Sequence, residues 1–95
     1  MFLRDESGAT ERLGELLREA HHRLEAAESS RISQSKMAAR LGVSQRAYVN
    51  YLHGRGPTGA RVALEILSML EEEEAIRLLR QWRQWSLENA PRSGK

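Results

Sequence analysis

Gln45, Arg46 and Asn50 are the residues in this chain whose chemistry is easiest to name. Each ends in a planar group with two hydrogen-bonding atoms side by side. A guanidinium fork fits two adjacent acceptors, such as O6 and N7 of guanine, and a carboxamide fits the donor and acceptor pair N6 and N7 of adenine. Other chemical candidates fail on spacing or context. His21 and His22 are adjacent, so on a helix they point about 100° apart and cannot share one metal ion. Glu25, four residues after His21, would add only a second ligand, so both histidines are expected on the solvated surface. GRGPTG (54–59) spells a GxGxxG string but lacks the strand that must precede a dinucleotide-binding turn. A backbone-amide contact to phosphate, with Arg55 beside it, suits that loop better. No Ser, His and Asp constellation stands out, and there is no cysteine to act as nucleophile, metal ligand or disulfide. The chain is therefore expected to be no enzyme and to need no cofactor or metal.

The three planar side chains belong to the stretch SQSKMAARLGVSQRAYVNYLHG, residues 33–54. Two short helices joined by a tight turn account for its spacing. Ala38 is small where a steeply crossing second helix must pack. Gly42 supplies the left-handed conformation that ends a helix without a Cβ penalty, and Ser44 caps the helix that follows. Leu41, Val43, Tyr48, Tyr51 and Leu52 then fall on one face, with Gln45, Arg46, Val49, Asn50 and His53 on the other.

On Ser33-Gln34, Ala38, Leu41-Gly42-Val43-Ser44 and the closing Gly54, this segment resembles the helix-turn-helix of the lambda repressor and Cro family of bacterial and phage regulators. The likeness covers about residues 32–70. It departs from the family at Tyr48, where an aliphatic residue is usual, and in a longer first helix. The resemblance implies a recognition helix, about Gln45 to His53, lying in the major groove of DNA with Gln45, Arg46 and Asn50 at the base edges. Val49 would touch a thymine methyl. Ser33 and Gln34, at a helix N-terminus, are expected to hold phosphate, with Lys36, Ser44, His53, Arg55 and Arg61 as further backbone contacts.

Charge supports the same placement. The formal net charge of the 95 residues is only +2. Between Glu28 and Glu65, however, there is no acidic residue, while Arg31, Lys36, Arg40, Arg46, Arg55 and Arg61 are all present. A window like this raises the potential where a phosphate backbone would lie. No apolar run approaches the roughly 18 residues of a membrane span. The start, MFLRDESGAT, lacks the apolar core of a secretory signal, and a cytoplasmic location, on the nucleoid when bound, is expected.

The flanking elements complete an all-α reading with five helices. Residues 1–9 read as a flexible arm, with a single domain over 10–90 and a flexible tail over 91–95. Thr10 would cap a first helix at about 11–28, whose Leu13, Leu16, Leu17, Ala20, Leu24 and Ala27 recur at helical spacing. Its outer face would carry Glu11, Glu15, Arg18, Glu19 and Arg23. Pro57 and Thr58 open a fourth helix, about 58–70. Acids at 71–74 and Arg77, Arg80 and Arg83 behind them suit a C-terminal helix at about 72–88. Its stripe of Ile76, Leu79, Trp82 and Trp85 is wide for so small a core, and wide apolar surfaces mark interfaces. It is read as a dimerisation helix.

The expected function is a homodimeric, sequence-specific regulator of transcription that occupies an inverted-repeat operator. A repressor of phage or mobile-element type, including one acting on its own promoter, fits best, because activation needs a polymerase contact that the sequence does not display. The alternative is an antitoxin-like or adaptor protein whose main work is binding a protein partner, such as a toxin or polymerase, through the tryptophan helix.

Overall fold

The computed structural model describes residues 3–55 and 59–89. Those residues form five helices and no strand: α1 (Leu3–Glu28), α2 (Gln34–Leu41), α3 (Gln45–Leu52), α4 (Ala60–Met69) and α5 (Glu72–Asn89). Their apolar faces meet in one cluster. Leu16, Leu17, Ala20 and Leu24 of α1 pack with Met37, Ala38 and Leu41 of α2, Tyr48 and Leu52 of α3, Val62 and Ile66 of α4, and Leu78 of α5. Burying one such large side chain is worth about 1.5–3 kcal/mol. Tyr48 and Met37 are fully buried. Among the described residues, no helix is long and apolar enough to cross a membrane.

Two expectations at the N-terminus need correcting. The helix begins at Leu3, so residues 3–9 are not a loose arm and Thr10 lies within the helix rather than capping it. Gly8 lies inside this helix, and one glycine costs a helix only about 1 kcal/mol. A long helix carries that cost, and a Cβ at Gly8 would stand 3.9 Å from Trp85 of α5, an ordinary packing distance. Residues 1 and 2, Gly56, Pro57, Thr58 and the tail from 90 onward lie outside the described residues. The helix that Pro57 and Thr58 were expected to open starts at Ala60, after an N-cap at Gly59.

Local signals set the short helices. α2 and α3 have eight residues each, and each is preceded by a serine whose hydroxyl accepts an amide N–H three residues on. Ser33 Oγ takes Lys36 N at 3.0 Å and Ser44 Oγ takes Ala47 N at 3.1 Å. The residue before each cap and the fourth of each helix are apolar, Ile32 with Met37 and Val43 with Tyr48, as in a hydrophobic staple. Both helices also end alike. Gly42 (φ 73°) and Gly54 (φ 67°) are left-handed. Val43 N then reaches Ala38 O at 3.0 Å, and Arg55 N reaches Asn50 O at 2.8 Å, satisfying carbonyls that the helix leaves open.

Candidate nucleic-acid interface

The chemistry-bearing face of α3 depends on what holds the helix from behind. Tyr48 and Leu52 are buried and Tyr51 half-buried, so the opposite side is turned outward. Gln45, Arg46 and His53 are exposed, while Val49 and Asn50 are half-buried. At 100° per residue these five share one side of the helix. Ser33, Gln34, Lys36, Ser44 and Arg55 are exposed as well. The hydroxyls of Ser33 and Ser44 accept the capping amides, which leaves their O–H groups to donate outward.

The cations of the acid-free window divide into two groups. Arg40 forms a two-pronged pair with Glu28, at 2.7 and 3.0 Å. Arg61 turns Nη2 to the Leu41 carbonyl at the end of α2, at 2.8 Å, and lies 3.9 Å from Glu65. A guanidinium on a helix C-terminus complements the dipole there. Arg61 thereby closes α2, while its side chain stays 61 % exposed beside the expected phosphate contacts. Arg31, Lys36, Arg46 and Arg55 are exposed and have no ion pair among the described residues. The Gly54 amide is also committed, donating to Tyr51 O at 3.1 Å, so Gly54 offers no free N–H to a phosphate.

Sequence reasoning missed the side chains of α1 that support this face. Gly14, Arg18 and His21 stand at i, i+4 and i+7, one stripe of the helix. At Gly14 the α3 backbone comes so close that an added Cβ would lie 2.9 Å from both Gly54 N and Tyr51 O. Arg18 donates from Nη1 to the Leu52 carbonyl, at the end of α3. His21 is buried, at 8 % exposure, which overturns the expectation of a solvated residue. Its Nε2 lies 2.7 Å from Ile32 O and its Nδ1 lies 2.7 Å from the Tyr48 hydroxyl. A carbonyl can only accept, so Nε2 carries the proton and Nδ1 accepts from the tyrosine. One signal was present in the sequence: His21 follows Leu17 by four and precedes Leu24 by three, inside the apolar period. His22 is exposed, as expected.

Glu25 completes the stripe. Its Oε2 accepts from Ile32 N at 2.8 Å and stands 3.6 Å from His21 Nε2, while Oε1 is 3.3 Å from His22 Nδ1. Both backbone polar groups of Ile32 are thus satisfied from α1, and the segment entering α2 is fixed. The Ile32 N–H, with the two histidines adding to it, holds the Glu25 carboxyl below its ordinary 4.5. A depressed carboxyl contributes stability that is full above the unfolded value and is lost as pH falls through the folded one. Thermal melts taken from pH 6 to pH 3 should therefore show a steeper acid loss for the parent than for Glu25→Gln. Parallel curves would mean that the carboxylate holds nothing.

Among the described residues, no group of three or more His, Cys, Asp or Glu side chains could hold a metal ion. Comparison with protein-family models, curated proteins and solved structures finds no match to this chain. The functional reading therefore rests on the geometry and chemistry of these residues.

Ile76 and Leu79, expected at a dimer seam, are 40 % and 53 % exposed. Trp82 and Trp85 are half-buried, with ring centroids 5.2 Å apart. Trp82 packs on the core and lines, with Leu13, Leu17, Leu64, Leu67 and Leu79, an apolar groove of about 320 Å³ between α1, α4 and α5.

Proposed function

We propose that this chain is a sequence-specific, double-stranded DNA-binding regulator of the helix-turn-helix type, acting in the cytoplasm as a homodimeric repressor. One observation carries the reading. A helix capped at both ends, and anchored from behind by Tyr48 and Leu52, turns Gln45, Arg46 and Asn50 outward in a window, residues 29–64, that also carries the exposed cations Arg31, Lys36 and Arg55 and has no carboxylate. In this reading α3 enters the major groove. Arg46 takes a guanine edge, Gln45 and Asn50 take adenine edges, and Val49 meets a thymine methyl. Ser33, Gln34, Lys36, Ser44, His53 and Arg55 lie along the phosphates and set the register without reading sequence. With two copies, the operator would be an inverted repeat with half-sites about one helical turn apart. Occupancy of such a site blocks polymerase and needs no ligand-binding domain.

The exposed apolar residues Leu64, Ile76 and Leu79 favour one second reading, an antitoxin-like or adaptor protein whose partner covers them. Selection of bound sequences from a random duplex library at near-physiological salt separates the two. An enriched inverted repeat supports the repressor, whereas salt-sensitive background binding alone would sink it. Repeating the selection with variants assigns roles. Arg46→Ala should lose about 1–3 kcal/mol on the selected site and relax one base position. Lys36→Ala should weaken all sequences alike and lower the salt slope by about one. Identical specificity profiles for the two variants would defeat the assignment.

A further inference from the structure

The outer face of α5 carries a pattern that is complementary to itself. Counting 100° per residue, Glu72, Ile76, Leu79 and Arg83 fall within about 60° of arc. All four are exposed, and neither Glu72 nor Arg83 has an ion-pair partner among the described residues. Glu74, on the opposite side of the helix, is already engaged, 3.5 Å from Arg23 of α1. The inward side of α5, through Ala75, Leu78 and Trp82, is occupied by the core. The stripe reads acid, apolar, apolar, base along the helix. Laid antiparallel against a second copy of itself, it matches at every position.

We infer that two copies of this chain pair through antiparallel α5 helices whose twofold axis passes between Arg77 and Leu78, setting Ile76 against Leu79 and Glu72 against Arg83 across the seam. The proposal rests on the homodimeric reading above and adds the register and orientation that it lacked. The charges select the antiparallel arrangement: a parallel pair would set Glu72 beside Glu72 and Arg83 beside Arg83. An antiparallel pair makes two unlike contacts flanking a central apolar patch of two Ile76 and two Leu79 side chains. Twofold symmetry generates each contact twice. The two charged residues are 11 apart in sequence, which is about 16 Å along a helix, so both contacts flank the patch without crowding it. Leu64 of α4, exposed at 64 % and lining the same groove as Leu79, sits where the partner would also cover it.

The test is a charge exchange read by sedimentation equilibrium at low salt. Glu72→Arg sets arginine against Arg83 at both ends of the seam, and Arg83→Glu sets glutamate against Glu72. Each variant alone should dimerise roughly tenfold or more weakly than the parent, since like charges across an interface oppose association. Mixed together, the two should recover parental affinity. In the mixed pair the introduced arginine of one variant faces the introduced glutamate of the other, and the unchanged Arg83 of the first faces the unchanged Glu72 of the second. Both contacts are then unlike again. Leu79→Glu, 53 % exposed at the rim of the groove, should give a monomer that keeps its helical content and whose melting temperature no longer rises with protein concentration as the parent's does. Variants that dimerise as the parent does, or a mixture that recovers nothing, would overturn the register while leaving a dimer standing. A parent that sediments as a monomer would overturn the pairing altogether and assign the face to a different protein. The library selection described above reads DNA binding separately, so the two readings fail distinguishably.

Discussion

Gly14→Ala is expected to destabilise the fold by about 2 kcal/mol or more, although the change improves the intrinsic helix propensity of α1. Alanine in a helix interior is favoured over glycine by about 1 kcal/mol. Against this stands the space at the site. The new Cβ would lie 2.9 Å from Gly54 N, 2.9 Å from Tyr51 O and 3.0 Å from Leu52 O. All three are backbone atoms at the closed end of α3, and none can swing aside as a side chain would. The contact is reciprocal: a Cβ at Gly54 would meet Glu11 Cα at 2.9 Å, and Gly54 also has φ 67°. Relief requires α1 and α3 to separate, and separation stretches the Arg18 bond to Leu52 O and the His21 bond to Tyr48. Overpacking of this kind costs about 1–3 kcal/mol and occasionally more, and with the lost bonds it outweighs the propensity gain. At about 4–8 °C per kcal/mol for a domain of this size, the melting temperature should drop by roughly 8 °C or more. Gly14→Val should fall further. Gly59→Ala is the control, since nothing lies within 4 Å of a Cβ there. If Gly14→Ala melts at or above the parent, the close approach of α1 to α3 is not a constraint on this fold.

The same pair of helices shows where sequence reasoning works and where it stops. The short helices were legible because their determinants are local: Ser33, Gly42 and Ser44 act on amides and carbonyls within five residues of themselves. α5 was legible for a similar reason, its acids at 72–74 marking its start, and it runs to Asn89, one residue beyond expectation. The devices that hold α3 in place are not local. Gly14 in a helix reads as a simple propensity loss until the backbone of residues 51–54 is beside it. Arg18 reads as a solvated cation of the outer face and Arg61 as a phosphate contact, yet each closes the carboxyl end of a short helix supplied by another part of the chain, at Leu52 O and Leu41 O. His21 reads as surface because polarity was weighed above its place in the apolar period. In the candidate interface, the outward residues of α3 followed from helix geometry. Which cations are free to meet phosphate depended on partners such as Glu28, across the loop from Arg40.

The buried imidazole supplies the second large effect, and a double-mutant cycle isolates it. His21 joins three elements, taking the Tyr48 hydroxyl of α3 on Nδ1 and giving Nε2–H to Ile32 O before α2, both at 2.7 Å. Burial, with the nearby Glu25 charge adding to it, pushes the Tyr48 phenol well above its usual range, so the hydroxyl remains a donor at every working pH. His21→Leu removes both partners at once and leaves a buried hydroxyl and a buried carbonyl unsatisfied, at about 1–3 kcal/mol each. A loss of roughly 2–5 kcal/mol is expected. Tyr48→Phe strands only Nδ1 and should cost about 1–3 kcal/mol. The double variant is the decisive one. With the hydroxyl gone and leucine in place of the imidazole, only the Ile32 carbonyl remains unpaired. The double variant should therefore be more stable than His21→Leu alone, although it carries one more substitution. Independent side chains would instead give additive losses. Denaturant melts of the four proteins decide the matter: additivity would mean that the imidazole and the phenol do not act as a unit behind the α3 face.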